Sequence, residues 1–146
     1  MLSALALPLS LSAQTTTPPT GYKMVWSDEF NGTSLNTKVW NIEENGNGGG
    51  NQELQYYRKE NVAVANGNLV LTARRENYNN KQFTSGRINS RDKAYFKHGI
   101  IQARIKFPKT ANGVWPAYWM MGNDYGKLGW PRCGEIDIVE TGNAEG

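Results

Sequence analysis

The chain has a single cysteine, Cys133, and a single histidine, His98. One cysteine cannot form an internal disulfide, so cysteine pairing gives no information about the redox compartment. A catalytic thiol would need a neighbouring base, and the sequence offers no evident link between Cys133 and His98. We therefore interpret Cys133 as a structural or incidental thiol and assign no catalytic role to His98.

Blocks of positive charge are also missing. The net charge is +3 and the 16 lysines and arginines are scattered, so we expect no nucleic-acid partner. The N-terminal apolar stretch, residues 2–13, is too short to span a membrane. Because a Pro/Thr-rich segment follows it, we predict a signal peptide at 1–13, a linker at 14–21 and a secreted or periplasmic protein. A buried strand is the alternative for the apolar stretch.

The chain is rich in glycine and aromatic residues, with 16 Gly, 7 Tyr and 5 Trp, which is typical of a turn-rich all-β protein. Its length corresponds to one domain, residues 22–146. Asn66-Gly67 is a strong signal for a type I′ hairpin turn. Alternating apolar residues and turn signals predict strands at Val25–Trp26, Val62–Ala65, Asn68–Arg74, Phe83–Asn89, Phe96–Phe107 and Val114–Met121.

The segment Gly134-Glu135-Ile136-Asp137-Ile138-Val139-Glu140 places three carboxylates within a predicted strand. Successive strand residues point to opposite faces, so Glu135 and Asp137 share one face while Glu140 would fall on the apolar one. An unpaired carboxylate in an apolar core costs several kcal/mol. A β-bulge near Ile138–Val139 would return Glu140 to the acidic face, and bulges are enriched beside active sites.

Two glutamates with an aspartate between them suit retaining glycoside hydrolysis. That chemistry needs two carboxyl groups roughly 5–5.5 Å apart, one as nucleophile and one as general acid/base. The aspartate can hydrogen-bond the nucleophile. A solvated strand face that merely carries acids is the alternative, and a calcium cluster is a weaker one because EF-hand spacing is absent.

The acidic segment, together with the motifs around it, resembles glycoside hydrolase family 16, and most closely its laminarinase-type endo-β-1,3-glucanases. The resemblance runs from about Trp26 to the last residue. It is carried in order by WSDEFNG, WNIEENGNGGGNQELQYY, NLVLTARRE, FKHGIIQARIKFP, NGVWPAYWMMG, GWPRC and GEIDIVE. The residue inserted before the second glutamate matches the laminarinase-like form, whereas the lichenase and xyloglucan branches resemble Glu-x-Asp-x-Glu.

The resemblance implies an all-β fold, a concanavalin-like β-jelly-roll sandwich of which this chain carries an incomplete part. It further implies Glu135 as nucleophile, Asp137 as assisting acid and Glu140 as general acid/base. Trp115, Trp119, Trp130, Arg87, Asn51 and Glu53 are the substrate-binding residues it suggests. Core packing is the alternative for the tryptophans, a solvent-facing side chain for Arg87, and an ordinary exposed loop for Asn51 and Glu53.

No cofactor for catalysis is expected. The family often binds a structural calcium, for which Glu29 and Gly67 are the matching candidates; a surface turn is the alternative role for Glu29. The expected function is retaining endo-hydrolysis of β-1,3-glucan by a monomer without a membrane span. The alternatives are a non-catalytic β-glucan-binding jelly-roll and a family 16 hydrolase of mixed-linkage glucan or a marine galactan.

The resemblance implies a domain length of roughly 200–250 residues, which is usual for β-sandwiches. The motifs therefore cover about the first half of the fold, the N-terminal part of the catalytic domain. Unpaired strand edges favour aggregation. We expect that the chain is a fragment and that it neither folds nor acts alone.

Overall fold

The computed structural model describes residues 17–109 and 113–142. The predicted signal peptide, residues 1–13, and the start of the predicted linker lie outside the described residues. The prediction of an all-β protein is confirmed, because the described residues contain eight strands and a single four-residue helix. The chain divides into two compact units, the first ending at Ser90 and the second beginning at Arg91.

The elements are short. The strands of the first unit are β1 Asn41–Ile42, β2 Gln55–Tyr57, β3 Val62–Ala65, β4 Asn68–Leu71, β5 Phe83–Ser85 and β6 Ile88–Asn89, with 3-10 turns at Gly48–Gly50 and Lys59–Asn61. The second unit contains β7 Ala117–Met121, helix α1 Tyr125–Leu128 and β8 Glu135–Glu140. Three strand pairs form in the first unit: β1 with β6 and β3 with β4 are antiparallel, and β2 with β5 is parallel.

The β3–β4 hairpin confirms its predicted turn. Val62 is paired with Leu71 and Ala65 with Asn68, which leaves Asn66 and Gly67 as the two turn residues. Both have positive φ, 52° and 70°, as a type I′ turn requires.

The predicted strand over 83–89 is two strands. β5 pairs with β2, and β6 pairs with β1, so the chain changes partner at Gly86 and Arg87. A Cβ at Gly86 would lie 2.5 Å from the carbonyl oxygen of Asn61. This close approach requires glycine at the crossing. The predicted strand over 68–74 also ends earlier, at Leu71.

The centre of the first unit is polar. Asn61 and Thr84 are each only 1% exposed, and the Asn61 side-chain amide donates to Thr84 Oγ1 at 2.9 Å and to the Thr72 carbonyl at 2.6 Å. The Thr84 hydroxyl donates to Glu76 Oε1 at 2.5 Å. Buried polar groups need such partners to offset the loss of water. This network therefore links β5 to the segments on either side of the β3–β4 hairpin.

The predicted strand at Val25–Trp26 is wrong. Asp28 organises this segment instead, because its carboxylate accepts the Phe30 backbone N–H at 2.9 Å and the Trp40 indole N–H at 2.8 Å. Trp26 packs edge-on against Trp40, with ring centroids 5.7 Å apart. Phe30 has a positive φ of 50°, so the backbone turns out of the extended conformation.

The predicted strand over Phe96–Phe107 is also wrong, since residues 100–109 carry no strand and 97–99 form a bend. An alternating pattern of apolar residues indicates which side chains would share a face of a strand. A strand also needs a neighbouring strand to which its backbone is hydrogen-bonded. Ile105 of this segment is 42% exposed. In the predicted strand over 114–121, only residues from Ala117 onward are paired.

Candidate active site

The acidic segment forms β8, which pairs antiparallel with β7. Ala117 lies opposite Glu140, Trp119 opposite Asp137 and Met121 opposite Glu135. Directly opposed residues in an antiparallel ladder point to the same face. Because 117, 119 and 121 alternate along β7, all three carboxylates of β8 share one face.

The register explains how Glu140 reaches that face. Tyr118 is paired with Val139, and the next residue, Trp119, is paired with Asp137. Ile138 therefore has no paired residue on β7. One strand residue is thus extra, which defines a bulge and resets the alternation of the strand. The predicted bulge near Ile138–Val139 is confirmed, and so is its consequence for Glu140.

The opposite face of the hairpin is apolar. It carries Tyr118 and Met120 from β7, with Val139 and Ile136 opposite them. Burial raises the pKa of the Tyr118 hydroxyl, as expected for an ionisable group removed from water. The bulge therefore keeps a carboxylate off a face of apolar and aromatic side chains.

The two glutamates stand at the two ends of the acidic face, with Asp137 between them. Their partners, Met121 and Ala117, are four residues apart, which corresponds to about 13 Å between Cα atoms along a strand. The side chains must lean toward each other across Asp137 to bring their carboxyl groups to the roughly 5–5.5 Å of a retaining pair. All three acids are exposed, so a substrate has access to them.

Trp130 contacts the first glutamate directly. Its indole N–H donates to Glu135 Oε2 at 2.7 Å, and the ring is 64% exposed. A hydrogen bond to an ionised acceptor is stronger than one between neutral groups. Trp130 thus orients the Glu135 carboxylate while leaving much of its own ring open to a ligand.

The other two predicted tryptophans are placed differently. Trp119 lies in β7 opposite Asp137, on the acidic face, as predicted. Trp115 precedes β7 and is 50% exposed, so it lies outside the paired part of the strand predicted over Val114–Met121. Pro116 lacks a backbone N–H, and β7 starts after it. The Pro116 carbonyl still accepts the Thr141 N–H at 3.1 Å.

The connection between β7 and β8 closes tightly at its base. The Gly122 N–H donates to the Gly134 carbonyl at 3.0 Å, and a Cβ at Gly122 would overlap the Cys133 carbonyl oxygen. The Cys133 thiol contacts the Met121 sulfur at 3.4 Å. These contacts fit the structural role predicted for Cys133, and they carry the chain from Met121 back to Glu135.

The remaining predicted sugar-binding residues, Asn51, Glu53 and Arg87, belong to the first unit. Glu53 and Arg87 both contact Tyr57: its hydroxyl donates to Glu53 Oε2 at 2.6 Å, and the Arg87 guanidinium lies 5.6 Å from its ring centroid. Burial and the Glu53 carboxylate raise the pKa of Tyr57 to about 12, although Arg87 opposes the shift. Asn51 is exposed and its N–H donates to the Gly48 carbonyl at 2.8 Å.

Arg87 also belongs to a polar network that the sequence did not indicate. Its Nε lies 3.0 Å from Glu43 Oε1, the same oxygen that accepts the Asn89 side-chain amide at 3.0 Å. The side chain of Arg87 is only 25% exposed, so the solvent-facing alternative does not describe it. Glu43 and Tyr57 were missed because both lie far before Arg87 along the chain, where no local spacing relates them to it. Asn89 was missed because its partner, Glu43, is equally distant.

Of the calcium candidates, Gly67 lies near Asn31, two residues after Glu29. A Cβ at Gly67 would lie 3.7 Å from Asn31 Oδ1, so the residues after Glu29 approach the β3–β4 turn. Carboxylate, amide and carbonyl oxygens are the ligands that calcium prefers. Within 17–109 and 113–142, however, no group of three His, Cys, Asp or Glu residues could hold a metal. The calcium site therefore stays a prediction.

Comparisons with known proteins show the family of this chain. The family described as beta-glucan synthesis-associated protein SKN1/KRE6/Sbg1 matches residues 6–135. A beta-glucanase from Rhodothermus marinus is 42% identical over 125 residues, which cover 82% of this chain and 43% of the relative. A Bacteroides ovatus GH16 protein, solved with a mixed-linkage glucan product, is 46% identical, with a TM-score of 0.70 over 80% of this chain and 48% of its own. The chain belongs to glycoside hydrolase family 16.

The family relationship also supplies the architecture. The laminarinase catalytic domain from Thermotoga petrophila is 43% identical and superimposes with a TM-score of 0.78, over 82% of this chain and 51% of the other. The chain therefore matches the jelly-roll of family 16, as predicted, and spans about half the length of the proteins it resembles. Among the described residues, no helix is long and apolar enough to cross a membrane.

The closed base of the β7–β8 connection yields a stability prediction for the full-length family 16 protein. Gly122→Ala should lower the free energy of unfolding by about 1–3 kcal/mol, because its Cβ would displace the Cys133 carbonyl. Urea unfolding measures this. Gly126→Ala is the control, since its nearest neighbour is the movable end of Arg91. Because this residue lies in α1, alanine should leave the free energy of unfolding unchanged or raise it by up to about 1 kcal/mol. Equal effects of the two substitutions would contradict the predicted clash.

Proposed function

We propose that the full-length protein is a retaining endo-hydrolase of β-1,3-glucan. The observation that carries the proposal is the β7–β8 register, which sets Glu135, Asp137 and Glu140 on one face. A solvated strand face that happened to be acidic would not need a bulge to keep its last acid in line. The similarity to a laminarinase catalytic domain supports the β-1,3 linkage.

In the first step, Glu140 acts as general acid and Glu135 as nucleophile. The Glu135 carboxylate attacks the anomeric carbon as Glu140 gives its proton to the glycosidic oxygen, so the leaving sugar departs as an alcohol. The product is a glycosyl ester on Glu135. Asp137, between them, is the assisting acid that hydrogen-bonds the nucleophile.

In the second step, Glu140 acts as general base. It removes a proton from water, the water oxygen attacks the anomeric carbon, and the ester bond to Glu135 breaks. Glu135 is returned as a carboxylate, Glu140 regains its proton, and the anomeric configuration is retained. No cofactor takes part.

Aromatic and polar residues of both units are the candidates for sugar binding. Trp119 shares the acidic face and Trp130 contacts Glu135, so both rings can meet a pyranose near the reacting bond. The exposed Trp115 would serve a neighbouring sugar. In the first unit, Asn51, Glu53 and Arg87 would hydrogen-bond the polysaccharide, and Tyr57 links Glu53 to Arg87.

A second candidate substrate is mixed-linkage glucan. Its support is the 46% identity to the Bacteroides ovatus GH16 protein solved with a mixed-linkage glucan product. A glucan-binding protein without catalysis is less consistent with a chain that keeps all three acids. A marine galactan is the remaining alternative. We further propose that the protein is exported to the exterior or the periplasm, acts as a monomer and binds no nucleic acid.

Substitution of the two glutamates tests the mechanism in the full-length protein. Glu135→Gln should abolish hydrolysis of laminarin while glucan binding persists, because the nucleophile is lost and the shape is kept. Glu140→Gln should lower kcat by about 10²–10⁴, the usual contribution of a general acid/base. Product sizing after incubation with laminarin, lichenan, agarose and xyloglucan identifies the polysaccharide.

Asp92→Asn is the control for those substitutions, since this exposed acid lies outside the acidic face. It should hydrolyse like the wild type. Near-normal turnover by Glu135→Gln would show that Glu135 is not the nucleophile. Binding of laminarin without hydrolysis by the wild type would favour the non-catalytic alternative.

The bulge can be tested by changing the length of β8. Deleting Ile138 should leave measurable hydrolysis, because a regular strand also keeps Glu140 opposite Ala117. Inserting one alanine between Val139 and Glu140 should turn that glutamate to the apolar face and lower kcat by about 10²–10⁴. Circular dichroism checks that both variants fold. If the folded deletion variant lost activity while the folded insertion variant kept it, the argument that alternation along β8 places Glu140 would be refuted.

The structural calcium is tested by thermal unfolding with and without the ion. Glu29 would supply carboxylate oxygens and Gly67 its carbonyl, and calcium bound to the native state should raise Tm. Glu29→Ala should remove this increase and leave Tm without calcium little changed. An equal calcium effect in both proteins would show that Glu29 is not a ligand.

A further inference from the structure

The glycine loop, residues 46–53, is unusual in its backbone. Gly48, Gly49, Gly50 and Gln52 all have positive φ, between 56° and 84°. Glycine has the largest conformational freedom to lose on ordering. A loop of this kind cannot hold Asn51 and Glu53 in place through its own backbone preferences, so other parts of the chain must do so.

The backbone hydrogen bonds within the loop join Gly48 to Asn51 and Glu53. The Asn51 and Glu53 N–H groups donate to the same Gly48 carbonyl, at 2.8 and 3.0 Å. The Glu53 side chain is held separately, by the hydroxyl of Tyr57 and by the amide of Gln55.

The loop is anchored just before its start, because Asn45 and Tyr57 exchange backbone hydrogen bonds of 3.1 and 2.8 Å, and the Tyr56 ring lies against Gly46. None of these contacts joins the start of the loop to its end at Glu53.

Lys81 contacts the glycine loop at both ends. Its aliphatic stem lies beneath Gly46, where an added Cβ would be 3.2 Å from Lys81 Cε. Its ammonium donates to the Glu53 backbone carbonyl at 3.3 Å. The side chain is half-buried. One side chain thus spans the loop from Gly46 to Glu53.

Lys81 is itself held by a tight turn. The Tyr78 and Lys81 backbones exchange two hydrogen bonds of 2.9 Å, and the residues between them, Asn79 and Asn80, have positive φ. The Tyr78 ring packs edge-on against Tyr56 with centroids 5.1 Å apart. The Arg58 guanidinium lies 4.1 Å from the same ring centroid. Lys81 therefore reaches the loop from a rigid base.

We propose that Lys81 is a positioning residue that clamps the glycine loop and so sets how that loop binds the polysaccharide. This inference rests on the proposed function for its effect on substrate, but the clamp itself does not. Lys81 touches the backbone of Glu53 and acts through the loop. Its loss should therefore weaken sugar binding and leave the chemical step intact.

The test uses Lys81→Met in the full-length protein, which keeps the stem beneath Gly46 and removes the donor. KM for laminarin oligosaccharides should rise about three- to tenfold, the range expected for one hydrogen bond, while kcat stays within about twofold. Lys81→Arg restores a cationic donor and should recover most of the affinity. The exposed Lys38→Met is the matched control and should behave like the wild type.

Hydrogen exchange of residues 46–53 separates the clamp from the activity. In Lys81→Met without substrate, the Asn51 and Glu53 amides should exchange faster, while Tm stays unchanged. Unchanged exchange together with unchanged KM would overturn the clamp. A proportional fall in kcat with a lower Tm would show a merely structural role. Faster exchange in a protein whose wild type hydrolyses no glucan would keep the clamp and refute the proposed function.

Discussion

The placement of the three acids on one face depends on one unpaired residue in one strand. Side chains alternate along a strand with a period of two, so an extra residue decides the face of every residue beyond it. Ile138 is that residue in β8, and it sets Glu140 opposite Ala117 rather than among the apolar partners of Tyr118 and Met120. A chemical requirement for three acids on one face is thereby met by backbone geometry.

The acidic face and the glycine loop are held in different ways. The β7–β8 hairpin is fixed by ladder hydrogen bonds and by the close approach of Gly122 to Cys133. The glycine loop has no ladder partner along residues 46–53 and relies on side chains instead: Tyr57 for the Glu53 carboxylate and Lys81 for its backbone. A flexible backbone permits close approach of a sugar chain, and long side chains from neighbouring segments restore its order.

Local patterns predicted the features that local physics controls. Asn66-Gly67 favours positive φ at two adjacent positions, and the turn has that geometry. In the acidic segment, regular alternation would have placed Glu140 on the apolar face, and a bulge returns it to the acidic one. Prediction failed where a distant partner decides. Val25 and Trp26 have the residues of a strand, but Asp28 bonds Phe30 and Trp40 and turns the chain away. Residues 96–107 alternate well and yet form no strand.

The sequence by itself determined the all-β character, the hairpin turn, the bulge and the three acids, because each depends on residues within a few positions of one another. Only the tertiary structure decided that Tyr57 joins Glu53 to Arg87, that Glu43 and Asn89 share Arg87, and that Lys81 spans the glycine loop. Those contacts join residues that are mostly far apart along the chain. Their geometry depends on which strands pair. β5 and β6 take different partners, and the chain passes close to Asn61 at Gly86 between them.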